Sequence, residues 1–254
     1  MSDRAAYSNQ NDAEDAAQGL LEAIARSDLL PAGELLRNIG LFLRQKDLAH
    51  ILFMADLYRR IVDVPGYIAE FGVMWGRNLS LLMAMRECFE PYNHTRKIVG
   101  FDTFAGFVGT TTEDHGDKPK EGMHGAGDYG VAAGYEKTLA DILSAHQNTA
   151  HLAHVKKFEI VKGDVTETLP RWMKNNPHAV FAFCYLDLDL YEPTKAVLQQ
   201  VKGRLVKGSV LAFDEVLNPS YPGETVALDE MFGIPNMRLL RTPLSGWKTF
   251  WVVE

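Results

Sequence analysis

Residues 180–194, Val-Phe-Ala-Phe-Cys-Tyr-Leu-Asp-Leu-Asp-Leu-Tyr-Glu-Pro-Thr, constrain the fold more than any other stretch of the chain. A near-continuous apolar run suits a strand covered on both faces of a parallel sheet, and Pro193 suits the first turn of the helix that follows. The run ends in two carboxylates, Asp187 and Asp189. In open α/β sheets such strand tips line the ligand crevice. Downstream, Ser209-Val-Leu-Ala-Phe213 is another short apolar run, and it ends in Asp214 and Glu215. Neighbouring strands lie about 5 Å apart, so acids on two adjacent tips could share a cation.

Upstream, Pro65-Gly66 is a turn and Tyr67-Ile-Ala-Glu-Phe-Gly-Val73 reads as the first strand. It breaks into Met74-Trp-Gly-Arg-Asn-Leu-Ser80 and then a helix carrying Leu79, Leu82, Met83 and Phe89 on one face. Gly72 and Gly76 would let the backbone approach a ligand beside the unpaired N–H groups of the helix start. Glu70 at this tip would repel a pyrophosphate but suits a ligand carrying an amino group or a sulfonium. A Gly-x-Gly-x-x-Gly dinucleotide loop is absent, which counts against a nicotinamide enzyme. Lys97–Asp102 and Phe158–Asp164 supply two more strands with acidic ends. Asp102 is placed to accept ribose hydroxyls, or to cap a turn, and Asp164 could equally cap the helix that starts at Val165.

The remaining chain frames this core. The first dozen residues read as disordered, and helical spacing runs from Ala13 to about Arg60, with Leu48, Ile51, Leu52, Ala55 and Tyr58 as one stripe. These helices are expected to form an extension over residues 1–64, covering the core, an interface between like chains or a wall of the substrate site. Residues 105–135 form a long glycine-containing segment with Asp114, His115, Asp117, His124, Asp128 and Tyr129, expected to act as a lid within a 65–254 domain. After Pro193, Val197, Leu198, Val201 and Leu205 define a helix that Lys207-Gly208 ends; Glu224–Phe232 reads as a helix, and 237–241 and 249–253 as closing strands. A formal charge of −7 argues against a nucleic-acid partner. Two cysteines make no disulfide framework, and no run approaches a membrane span. The N-terminus lacks the basic and apolar segments of a signal peptide, so a cytoplasmic protein, expected as a homo-oligomer, is the reading.

Taken together, Glu70-Phe-Gly-Val-Met-Trp-Gly76, Phe101-Asp-Thr-Phe-Ala-Gly-Phe107, Gly163-Asp-Val-Thr-Glu-Thr-Leu169, Leu186-Asp-Leu-Asp-Leu-Tyr-Glu-Pro-Thr194 and Phe213-Asp-Glu215 resemble the class I S-adenosylmethionine methyltransferases. More narrowly, they are similar to the macrocin O-methyltransferase family of metal-dependent deoxysugar methyltransferases in natural-product pathways. The resemblance covers roughly Tyr67 to Glu254. It implies an α/β fold, a Rossmann-like, mostly parallel sheet with an antiparallel last strand. It also implies S-adenosyl-L-methionine and Mg²⁺ as cofactors and a hydroxylated small molecule, a sugar or glycosylated natural product, as acceptor. By similarity Glu70 and Gly72 would flank the methionine portion, with Trp75 and Gly76 in the same loop. Asp102, with Thr103 and Phe104, would hold the ribose, and Asp164, with Val165, would lie at the adenine. The family usually has Asp-Asp where this chain has Asp214-Glu215, and Glu is one methylene longer.

Methyl transfer from a sulfonium needs the acceptor oxygen in line behind the methyl carbon, so positioning carries much of the work. An alcohol also holds its proton too tightly at neutral pH, and a divalent cation eases its removal. Asp187, Asp214 and Glu215 are the expected ligands, since Mg²⁺ prefers carboxylate and water oxygens. Asp187 is also the expected proton acceptor, and Asp189 a structural partner or helix cap. Trp75, Tyr191 and Trp247 could pack around the sulfonium or sugar. Two rival readings are a catechol-type phenol methyltransferase and a non-catalytic cofactor-binding subunit.

Overall fold

The protein is described by a computed structural model covering residues 12–27, 29–115, 125–245 and 248–254. The disorder expected at the N-terminus, and the expectations placed on Asp117, His124 and Trp247, fall outside these residues. The chain divides into two compact units, Met1–His50 and Ile51–Glu254. The first holds α1 (Asp12–Ala25), α2 (Ala32–Arg37), a 3₁₀ turn at Ile39–Phe42 and the start of α3 (Gln45–Ile61). Within it, Arg44 joins the elements by bonding Asp47 at 2.8 Å and Gln18 at 2.5 Å.

The second unit is a seven-stranded sheet in the order β3-β2-β1-β4-β5-β7-β6. The strands are β1 (Tyr67–Phe71), β2 (Ile98–Asp102), β3 (Phe158–Lys162), β4 (Phe181–Leu186), β5 (Leu205–Phe213), β6 (Leu240–Arg241) and β7 (Thr249–Val252). β1 to β5 pair in parallel, and β7 runs antiparallel to both β5 and β6. The expected α/β sheet with an antiparallel last strand is therefore present, and that strand is inserted between β5 and β6. The crossover helices are α4 (Arg77–Phe89), α5 (Tyr135–Asn148), α6 (Val165–Asn175) and α7 (Tyr191–Val201), with α8 (Gly223–Phe232) after β5.

Strand alternation divides the core in two. Ile68, Ile98, Phe183, Tyr185, Val210 and Ala212 face one layer with Phe53, Met54, Leu57, Leu82 and Leu143. Ala69, Phe71, Val99, Phe101, Cys184, Leu186, Leu211 and Phe213 face the other, with Leu169, Trp172, Val197 and Leu228. All six residues of β4 are buried, which is why its sequence shows no alternation. Truncating Phe183 to Ala would leave a cavity costing about 3–5 kcal/mol.

Three features differ from what the sequence leads one to expect. The helix after Pro193 stops at Val201, a 3₁₀ turn covers Lys202–Arg204, and Leu205 opens β5, so Lys207 and Gly208 lie inside the strand. Gly208 sits there at φ +87 with its missing side chain against Val64, and the β4–β5 register shifts between Phe181 and Phe183. In α3 the buried apolar residues are Phe53, Met54, Leu57, Tyr58 and Ile61, whereas Leu48 and Leu52 are exposed. The stripe read from the sequence was rotated because the helix offers apolar residues on more than one face. Finally, strand pairing at 237–241 is confined to Leu240–Arg241. Among the described residues, no helix is long and apolar enough to cross a membrane.

Candidate active site

Register brings the predicted loops to one edge. Phe71 pairs with Phe101 and with Leu186, and Leu186 pairs with Phe213. The next residue on each strand is therefore Gly72, Asp102, Asp187 or Asp214, and these form one row. The strand order reverses its winding between β1 and β4, the crevice where open α/β sheets bind ligands. Backbone strain collects along the same edge. Met74, Phe104, Asp189 and Leu217, one beyond each of the four tips, all have φ between 49° and 72° without being glycine. Each such residue costs on the order of 1–3 kcal/mol and persists only when its surroundings hold it.

In the β1–α4 loop, both glycines stand at positive φ with protein atoms close to where a side chain would lie. A Cβ on Gly72, at φ +88, would lie 1.8 Å from the Asp187 carbonyl oxygen, and one on Gly76, at φ +78, would lie 2.2 Å from Leu139. The space they leave is filled by the protein itself. Gly72 lets the β1 and β4 tips close on each other, and Gly76 lets α5 pack against the loop. Asp102 organises this loop from the next strand. Its Oδ2 accepts from the N–H groups of Val73 at 2.6 Å and Met74 at 2.8 Å, and its Oδ1 accepts from Phe104 at 2.5 Å. Three of about four lone-pair directions are thus used, leaving capacity on Oδ1. Thr103 accepts from the N–H of Ala105 and donates to Gly106, while Phe104 is buried. Trp75 is exposed and meets Tyr135 edge-on at 4.9 Å.

Glu70 lies beneath the loop, 1% exposed, and its Oε2 has no hydrogen-bond partner. Burial drives its carboxyl well above the usual range; Asn78 and Arg77 oppose this, and Asp187 and Asp102 add to it. An unpartnered buried carboxylate oxygen is the feature a cationic ligand group would satisfy, so this side chain fits the amino group or sulfonium of the cofactor. On β3's loop, Asp164 is the N-cap of α6, its Oδ1 accepting from the Thr166 N–H at 2.8 Å and hydroxyl at 2.7 Å. Val165 is buried in the α6 core face.

The acids of β4 and β5 crowd one another. Burial, then repulsion from Asp214, pushes Asp187 well up, and Lys248 opposes it. Asp189 and Glu224 are raised the same way, by burial first and then by Asp187. Glu215 is pushed up to about 7, chiefly by burial, while its Oε2 accepts from Asn218. Asp214 Oδ1 takes the Tyr185 hydroxyl and the Lys248 ammonium, and that ammonium also donates to Tyr185 at 3.1 Å. This surplus of crowded hard oxygen donors suits a divalent cation in charge and chemistry. Among the described residues, no three His, Cys, Asp or Glu side chains are gathered to hold one metal ion. Lys248 bonds Asp214 Oδ1, one of the two oxygens that ligation could use.

The 105–135 segment is tied down where it is described. Phe107 exchanges backbone bonds with Asp128 and Gly127, and its ring lies 5.1 Å from that of Tyr129. Tyr129 and Tyr221 share a hydroxyl bond of 2.8 Å. Asp114 is buried, and its Oδ1 accepts from the N–H of Tyr191 at 2.6 Å. The helix-cap role expected of Asp189 therefore falls to Asp114, from 77 residues earlier in the chain. His115 is exposed, and Tyr191 packs in the core while donating its hydroxyl to Glu230 at 2.8 Å. Sequence reasoning gave Asp114 only as part of the expected lid, and it missed Tyr185, Glu224 and Lys248. Only the Pro222-Gly223 helix start hinted at Glu224.

No protein-family model matches the chain, and no curated protein sequence matches it. Solved structures do. A structure described as CalS11, a calicheamicin methyltransferase, is 38% identical with a TM-score of 0.91, covering 99% of this chain and 97% of that one. An apo structure described as CalS11, TDP-rhamnose 3'-O-methyltransferase, is 37% identical with a TM-score of 0.84, covering 99% of both chains. The O-methyltransferase NovP shares the fold at 17% identity and a TM-score of 0.56, over 81% of this chain and 79% of its own. With full-length identity of this order added to the glycine loop and the acidic tips, the chain belongs to the class I S-adenosylmethionine-dependent O-methyltransferases.

Proposed function

We propose that this enzyme methylates a hydroxyl of a sugar, carried on a nucleotide or on a natural product, with a divalent cation at the acidic tips of β4 and β5. The observation that carries the reading is the full-length similarity to a TDP-rhamnose 3'-O-methyltransferase. S-adenosylmethionine supplies the electrophilic methyl group, and Mg²⁺, when bound, eases loss of the acceptor's proton. Glu70 meets the positive portion of the donor from below, where its Oε2 lacks a partner. Gly72, Trp75 and Gly76 shape the loop above it. Asp102, Thr103 and Phe104 hold the ribose side, and Asp164 and Val165 border the adenine. Asp187 lies in the row between Gly72 and Asp214, and takes the proton from the acceptor hydroxyl.

Asp187, Asp214 and Glu215 are the side chains that would hold Mg²⁺, and Lys248 would have to release Asp214 for it. The described residues 105–115 and 125–135 would cover the acceptor. Exposed Leu20, Leu29, Leu36 and Leu41 in the first unit support association of like chains, which sedimentation velocity would measure. Cys88 and Cys184 are free, in keeping with a reducing cytoplasmic setting. The test offers nucleotide-linked deoxysugars and catechol with radiolabelled S-adenosylmethionine, with Mg²⁺ or with EDTA. Label should enter a sugar only with Mg²⁺. Transfer to catechol alone would overturn the acceptor, and transfer in EDTA would remove the cation.

A further inference from the structure

The backbone between β4 and α7 is held in a turn that its own sequence does not favour. Leu190 N–H bonds to the Leu188 carbonyl at 2.6 Å, closing a three-residue turn around Asp189 at φ +60. A γ-turn with positive φ is rare and strained, and such geometry survives only where neighbours over-determine it. Two buried carboxylates from elsewhere do so. Asp114 Oδ1 receives the Tyr191 N–H at the far end, and Glu224 Oε1 receives the Leu188 N–H at 3.3 Å at the near end. Glu224 does more, because its Oε2 receives the N–H of Glu215 at 3.1 Å. One side chain, 0% exposed on the first turn of α8, therefore bridges the segments carrying Asp187 and Glu215. Gly223 makes this approach possible, since a Cβ there would lie 2.3 Å from Asp114 and 2.5 Å from the Tyr191 nitrogen. Thr225 adds a bond from the Leu217 N–H at 2.9 Å, so the start of α8 also holds the strained residue beyond β5.

We infer that Glu224 is a positioning residue which, by accepting one backbone N–H from each tip loop, sets the spacing between the Asp187 and Glu215 carboxylates. The inference rests on the proposed role of those acids, and its physical core is separable from that role. A bridge needs two acceptors. Gln offers one and places an amide donor against the other N–H, whereas Asp keeps both oxygens on a shorter arm.

The experiment uses the full chain as wild type, Glu224→Gln, Glu224→Asp and Asp114→Asn, read by amide hydrogen exchange resolved at 186–191 and 213–218. Glu224→Gln should speed exchange in both segments together by about tenfold. Asp114→Asn should speed it in 186–191 alone. In turnover, Glu224→Gln should lower kcat by about a hundredfold while the KM for S-adenosylmethionine stays within about threefold, and Glu224→Asp should recover part of kcat. If Glu224→Gln does not fold, Glu224→Asp alone decides, through coupled and smaller changes in both segments. Exchange altered in one segment or neither, or full kcat in the variant that folds, overturns the inference. If wild type methylates none of the sugars offered, the proposed acceptor falls, and the exchange measurement still decides whether the bridge exists.

Discussion

Gly72→Ala tests how closely the donor and acceptor halves of the site are locked together. The substitution places a methyl group 1.8 Å from the Asp187 carbonyl oxygen, a separation that must grow beyond 3.0 Å. The β4 tip must therefore move by more than an ångström, breaking the 2.8 Å bond from the Asp187 N–H to Phe71. An L-residue at this φ adds about 1–2 kcal/mol, and forced overpacking about 1–3 kcal/mol. The combined loss of about 2–5 kcal/mol corresponds to a fall in Tm of about 5–15 °C for a unit of this size. Because Asp187 rides on the displaced backbone, turnover should fall by about a hundredfold. Gly134→Ala is the control for stability, since Gly134 has a similar φ of +83 and nothing within 4 Å of its absent side chain. It should cost only the conformational part, about 1 kcal/mol. Urea melts of both variants, with turnover of Gly72→Ala, decide the matter. If Gly72→Ala melts no earlier than Gly134→Ala and keeps full turnover, the tips are not locked as described.

Asp187→Asn should abolish turnover while calorimetry finds cofactor binding within about threefold of wild type; undiminished turnover would defeat its role as base. Glu70 binds its proton more tightly folded than unfolded, so its contribution to stability is present below the unfolded value and is lost as pH rises through the folded one. Glu70→Gln should therefore outlast the wild type without ligand, by a margin that grows to about 1–3 kcal/mol as pH rises above the ordinary carboxyl range, while binding S-adenosylmethionine more weakly. Parallel stability curves for the two proteins would refute this. Lys248→Met removes the ammonium now on Asp214, so Mn²⁺ titrated by electron paramagnetic resonance should bind about tenfold more tightly. Unchanged or weaker binding would show that Lys248 does not compete for the site.

The strands were legible because burial on both faces leaves its mark on composition. The all-apolar run of β4 and its terminal acids located the crevice, and the register in the sheet then put Asp102, Gly72, Asp187 and Asp214 in one row. Contacts between distant segments were not legible. Asp114 reaches Tyr191, Glu224 reaches Leu188 and Lys248 reaches Asp214, and nothing local to any of these side chains advertises its partner. The atoms that crowd Gly72 and Gly76, on Asp187 and Leu139, likewise lie on other elements. The α3 stripe was misassigned because Leu48 and Leu52 follow helical spacing as well as the residues that are in fact buried.

The reversal of strand order beside β1 has a consequence for how such an enzyme can change its taste in acceptors. Everything proposed to grip the methyl donor comes from the β1, β2 and β3 side, while the acids proposed to act on the acceptor come from the tips of β4 and β5. Novelty on one flank can accumulate without disturbing the other, provided the narrow seam of Gly72 against Asp187 is left intact.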